Sequence, residues 1–214
     1  MRKAQLLTNE VTNTRVLQAI ADVSREQFVT DSLKGVAYVD EEIPLSSGRF
    51  VLEPLVFAKL LEMADIRPNE NVLDIGCGLG YSAAVIGRLA RHVTGVEMHQ
   101  DLAQGARKRL SVADFENVDV IAAPLVQGCP QHQPFDVIFI EGAVEVIPDS
   151  LLAQLSPQGR LIAVGALERR PGSRSALGAI LHIEKNSGNT VEHRGAHVAA
   201  SLLPGFERAQ TFRF

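Results

Sequence analysis

The run Asp74-Ile75-Gly76-Cys77-Gly78-Leu79-Gly80 combines residue types and spacing suited to chemistry. Glycines remove side chains where a backbone must approach a ligand, and a helix starting just behind them presents N–H groups without intrahelical partners. Glu97 lies 17 residues beyond Gly80, at the end of the next apolar stretch. A carboxylate there can accept both hydroxyls of a ribose. The plainer alternative is a tight turn and an exposed acid at a strand end. The ordered succession of strand, glycine loop, helix, strand and acid favours the ligand.

Such a loop needs a sheet to carry it. Asn71–Ile75, His92–Glu97, Val118–Ile121, Phe135–Ile140 and Gly159–Val164 read as five strands. Helices are expected over Tyr81–Leu89, Asp101–Leu110 and Asp149–Leu155. Strands that are apolar throughout and separated by helices predict an α/β fold, a doubly wound and mostly parallel sheet of Rossmann-like type. Upstream, near-helical spacing of Leu7, Val11, Leu17 and Ile20 predicts a helix from Leu6 to about Phe28, with Thr8 or Asn9 as its cap. Tyr38–Pro54, rich in turn formers, is expected to be an irregular loop, and Pro54 to open another helix. Downstream, Ile180–Ile183 and Thr190–His193 flank Asn186-Ser187-Gly188-Asn189, an antiparallel hairpin signal. The expected organisation is one domain: a helix-and-loop extension (1–54), a ligand-binding core (55–170) and a C-terminal hairpin completing the sheet (171–214).

Bulk properties exclude several classes. The 214 residues are 46% hydrophobic and 21% charged, with a mean hydropathy of +0.07 and no apolar run near the ~20 residues of a membrane span. With 21 Lys+Arg against 25 Asp+Glu the net charge is -4, so no nucleic-acid partner and no membrane partner is expected. Two cysteines, Cys77 and Cys129, make no disulfide framework, and Met1–Gln5 lacks the apolar core of a signal peptide. A cytoplasmic setting is expected.

G-x-G-x-G preceded by Asp74 departs from the dinucleotide fingerprint, and an acid before the glycines suits the cationic amino-acid end of S-adenosylmethionine better than a pyrophosphate. At Val72–Tyr81, followed by Ala83-Ala84, the chain resembles the protein-L-isoaspartate O-methyltransferase family of class I S-adenosylmethionine-dependent methyltransferases. The resemblance extends upstream through Arg25–Val29, Ala37-Tyr38 and Asp40, and downstream through Phe135–Ile138 and Leu155–Leu161. It implies S-adenosyl-L-methionine as cofactor, held by Asp74, Gly76, Cys77, Gly78, Gly80, Tyr81, Glu97 and Met98. It further implies a damaged protein or peptide bearing an acidic acceptor as substrate. The substrate loop departs from the family's usual Gly-Gln-Thr-Ile-Ser-x-Pro: here it is Gly48-Arg49-Phe50-Val51-Leu52-Glu53-Pro54, with Phe50 and Leu52 in place of both hydroxyls. Ala122-Ala123-Pro124-Leu125 stands where the family places a Gly-Asp pair near the adenine.

The nucleophile in such a reaction is a carboxylate, ionised at neutral pH, so alignment and water exclusion suffice without a general base. Arg49 is a candidate anchor for an acidic group, or else a solvated loop arginine, and Ser46 or Ser47 could supply a hydroxyl from one turn away. Cys77 reads as a small filler rather than a methyl acceptor. Glu141 and Glu145, expected just after the fourth strand, would border the cleft or cap the next helix. His193 and His197 are four apart but lie in the hairpin region, and no metal site is expected. The readings that compete with an active enzyme are a catalytically silent or re-targeted paralogue that keeps the cofactor, and a nicotinamide-dependent oxidoreductase, which the glycine spacing disfavours. The oligomeric state is left open.

Overall fold

The computed structural model describes residue 6 and residues 11–169, 175–186 and 188–208. Leu7, Thr8 and Asn9, and Ser187 of the expected hairpin turn, lie outside the described residues. Helix α1 covers Thr14–Asp22 and is capped by Asn13, whose side chain accepts from the N–H groups of Arg15 and Val16. Its buried face, Val16, Leu17, Ala19 and Ile20, packs on α2 (Pro54–Ala64). The Glu62 carboxylate of α2 takes the N–H groups of Thr12 and Asn13 at 2.7 and 2.8 Å, fixing the entry of α1. Beyond α1 the expected long helix gives way to a 3-10 turn at Arg25–Phe28.

Tyr38–Pro54 is more regular than expected. Strands β1 (Ile43–Pro44) and β2 (Phe50–Val51) pair antiparallel around a 3-10 turn at Ser46–Gly48. The Leu45 N–H donates to the Arg49 carbonyl at 2.7 Å, and Ser47 takes a φ of 56°. This tight turn aims the Arg49 side chain inward.

The main sheet consists of β3 (Asn71–Ile75), β4 (His92–Glu97), β5 (Val118–Ala122), β6 (Phe135–Val144), β7 (Leu155–Arg169), β8 (Ser175–Asn186) and β9 (Asn189–Ser201). Their order is β5-β4-β3-β6-β7-β8-β9, parallel through β7 and antiparallel from β7 to β9. Helices α3 (Tyr81–Gly87), α4 (Gln100–Val112) and α5 (Asp149–Leu152) fall between the parallel strands. Val72, Leu73, Ile75, Val137, Ile138, Phe139 and Ile140 are fully buried, as strands covered on both faces require. Strand order turns between β3 and β6, and the crevice at the carboxyl ends of such a switch point is where open α/β sheets bind ligands. Among the described residues no helix is long and apolar enough to cross a membrane.

One expectation at this edge is corrected. Glu141–Val144 do not follow the fourth strand but continue it, because the C-terminal segment covers them: the Leu203 N–H donates to the Ala143 carbonyl at 2.9 Å. Glu145 does not cap the next helix; its carboxylate accepts from the N–H of Arg208 at 2.7 Å.

Candidate functional site

The glycine loop leaves β3 at the crevice. Gly76, Gly78 and Gly80 have φ of +88°, +55° and +95°, a region costly for residues with a Cβ. Gly76 N–H donates to the Val96 carbonyl at 2.8 Å, which locks the loop to the end of β4. Glu97, at that end, is fully buried rather than exposed, contrary to the plainer alternative. It accepts from Gly78 N–H at 3.0 Å and His99 N–H at 3.2 Å.

Its third donor is Arg49, across 48 residues of sequence. The Arg49 Nε lies 3.3 and 3.2 Å from the two Glu97 oxygens, and Nη2 donates to the Gly76 carbonyl at 2.7 Å. Both side chains are wholly inaccessible. Arg49 is therefore neither the solvated loop residue nor, in this arrangement, an open anchor for a substrate carboxylate. The loop fills the space before both glycines: a Cβ on Gly76 would lie 2.6 Å from Arg49 Nη2, and one on Gly78 would lie 2.8 Å from Leu45 Cδ1.

Asp74, also fully buried, accepts from Ser82 Oγ at 2.7 Å through Oδ2, while Oδ1 has no hydrogen-bond partner among the described residues. Burial pushes its carboxyl up to about 7, against the opposing pull of Ser82 and Arg49. Glu141 shares this environment: Oε1 lacks a partner, and burial together with the Asp74 charge holds its carboxyl well above the usual range. Arg25 completes the cluster. Its Nε and Nη2 donate to the carbonyls of Ala37 at 2.7 Å and Leu52 at 2.6 Å, and its guanidinium lies 4.8 Å from the Tyr81 ring centroid. A buried arginine here carries no signal in composition or periodicity.

The remaining candidates are placed differently. Tyr81 packs between Phe28 and Phe57, at ring separations of 6.1 and 5.4 Å, and burial pushes its hydroxyl up to about 12. Cys77 is buried and its thiol is pushed far up by burial and the surrounding acids, so it stays protonated. Met98 is exposed, Ser46 Oγ donates to Asp101 at 3.3 Å, and Ser47 lies in the turn. Phe50 and Leu52 are buried. His193 and His197 lie on β9, His193 facing His182 of β8, and among the described residues no three potential metal ligands gather. A cleft of about 890 Å³ at the opposite, amino ends of the strands is lined by Glu70, Arg160 and His182.

The donor set suits an adenosyl ligand with a cationic amino end. Asp74 Oδ1 is an unpartnered buried acceptor, Glu97 is a second buried carboxylate at the end of the next strand, and the three glycines between them bring no side chains of their own. The fit is chemical and requires the Arg49 side chain to leave the face of Gly76.

The family model described as Protein-L-isoaspartate(D-aspartate) O-methyltransferase (PCMT) matches residues 3–191. A Protein-L-isoaspartate O-methyltransferase from Methylorubrum extorquens (strain PA1) is 37% identical over 178 residues, covering 83% of this chain and 76% of that protein. A Protein-L-isoaspartate O-methyltransferase 1 from Polaromonas sp. (strain JS666 / ATCC BAA-500) is 32% identical over 188 residues, covering 88% of this chain and 77% of that protein. Among solved structures, a protein-L-isoaspartate O-methyltransferase superposes with a TM-score of 0.80 at 23% identity, over 94% of this chain and 64% of that one. A beta-aspartate methyltransferase (PCMT) from Plasmodium falciparum, solved in complex with S-adenosyl-L-homocysteine, gives a TM-score of 0.77 at 18% identity, over 94% and 95%. At these identities the structural likeness concerns the fold.

Proposed function

Because the chain belongs to the protein-L-isoaspartate(D-aspartate) O-methyltransferase family, we propose that it transfers a methyl group from S-adenosylmethionine to a carboxylate of a damaged protein or peptide. The observation that carries this reading is the pair of buried acids, Asp74 and Glu97, set on either side of three positive-φ glycines at the crevice. Asp74 would hold the cationic amino end and Glu97 the ribose hydroxyls. The cofactor, when bound, supplies a methyl group on a sulfonium. An acceptor carboxylate arrives ionised, so the protein's task is to align it and exclude water. Phe50, beside Gly142, offers apolar cover for that purpose.

A re-targeted or silent paralogue is favoured by two observations: the apolar Phe50 and Leu52 where the family carries hydroxyls, and Arg49 seated on Glu97. An ionised group buried against Phe50 and Leu52 without a donor loses several kcal/mol of solvation. Calorimetry with S-adenosylhomocysteine and a labelled-methyl assay on an isoaspartyl peptide separate the readings. Binding with measurable, slow transfer is expected; binding with no transfer to that peptide makes the paralogue reading the correct one.

A further inference from the structure

Resting on the adenosyl-ligand reading above, we propose that Arg49 is a built-in competitor of that ligand. Its guanidinium occupies Glu97 and the Gly76 carbonyl in the resting protein, and the ligand enters only when Arg49 leaves.

The argument begins with the acceptor capacity of Glu97. Its two oxygens serve the N–H groups of Gly78 and His99 and the Nε of Arg49. The first two are backbone donors fixed by the loop and by the end of β4. Arg49 is a side chain on a turn, so it is the donor that can move. Sterics agree with the hydrogen bonding. Nη2 lies 2.6 Å from where a Cβ on Gly76 would sit, so the space kept clear by that glycine is filled from within. Leu45, on the same turn, covers Gly78 in the same way.

The resting contact is also incomplete. Arg49 Nη1 is buried with no hydrogen-bond partner among the described residues, and so are Asp74 Oδ1 and Glu141 Oε1 beside it. Arg49 therefore satisfies Glu97 without satisfying the rest of the cluster. A ligand carrying both a diol and a cation would complete what the arginine leaves open. The identity of the residue matters for the same reason: the guanidinium spans Glu97 and the Gly76 carbonyl at once, which a glutamine at this position, as is usual in the family, cannot do with a charge.

The test measures S-adenosylhomocysteine binding to the full chain by calorimetry, with folding followed by circular dichroism. Arg49→Gln is expected to bind at least tenfold more tightly than the unmodified protein. Arg49→Lys, which keeps the charge and so guards against misfolding, is expected to gain about threefold, since an ammonium is a point donor. Glu97→Gln combined with Arg49→Gln should show no such gain over Glu97→Gln alone. A second readout is amide exchange: saturating S-adenosylhomocysteine should speed exchange at Leu45, whose N–H closes the turn on the Arg49 carbonyl, while protecting Gly78. Affinity unchanged or weakened in folded Arg49→Gln or Arg49→Lys, including no binding in any form, overturns the proposal. Tight binding by Arg49→Gln without methyl transfer supports the competitor and removes the methyl-transfer reading. Transfer by the unmodified protein with affinity indifferent to Arg49 supports that reading and removes the competitor.

Discussion

Asp74 shows most directly what the site costs the fold. Its carboxyl titrates near 3.8 in an unfolded chain and is pushed up to about 7 in the folded one, because burial outweighs the Ser82 hydrogen bond and the Arg49 charge. Between those values the folded protein keeps a proton that the unfolded chain releases, so stability falls as pH rises through this window. Asp74→Asn removes that contribution. Urea unfolding should show the variant gaining stability over the parent by on the order of a few kcal/mol between pH 4 and pH 7.5. A stability difference constant across this range would rule the assignment out. The glycines and both acids were legible in sequence because their spacing is local. The partner of Glu97 was not. A loop arginine flanked by turn formers reads as solvated or substrate-facing, and only the antiparallel turn that pairs Leu45 with Arg49 directs it inward. Arg25 was hidden for the same reason, since its acceptors are carbonyls at Ala37 and Leu52.

At the scale of elements, continuously apolar strands gave themselves away: β3 and β4 begin and end where their patterns do. Strand β6 did not. Glu141 and Gly142 look like the punctuation after a strand, yet Leu203 lies 2.8 Å from where a Cβ on Gly142 would sit, and the strand runs on beneath it. Burial by a segment some 60 residues away leaves no local trace. The joint between α2 and β7 is a second long-range feature. Arg160 donates to the carbonyls of Ala64 and Asp65 at 2.5 and 2.8 Å, and to both Glu70 oxygens at 2.8 and 2.9 Å. Four charge-assisted bonds from one guanidinium end the helix and align it with the sheet. Arg160→Ala should lower unfolding stability by about 2–4 kcal/mol, the cost of leaving Glu70 and two carbonyls without their donor. A loss under about 0.5 kcal/mol in urea titration would show the joint to be held by packing alone.

Across the whole molecule, stability should be graded from the middle of the sheet outward. Strand β3 is buried between β4 and β6, whereas β9 pairs on one side and is exposed along most of its length. Native-state hydrogen exchange is expected to open β9 at far lower free energy than β3; equal protection would mean that the sheet opens as one unit. The turn bearing Arg49 is fastened at both ends, by the β1–β2 pairing and by the Leu52 carbonyl on Arg25. That tether has a consequence in time. A guanidinium that must first swing free, on a turn that cannot drift away, makes admission a sequence of two events, and the first is indifferent to how much visitor waits outside. Stopped-flow association with S-adenosylhomocysteine should therefore level off at high concentration, at the frequency with which the arginine lets go. With Arg49→Gln the rate should climb in proportion to concentration, as in a doorway without a latch.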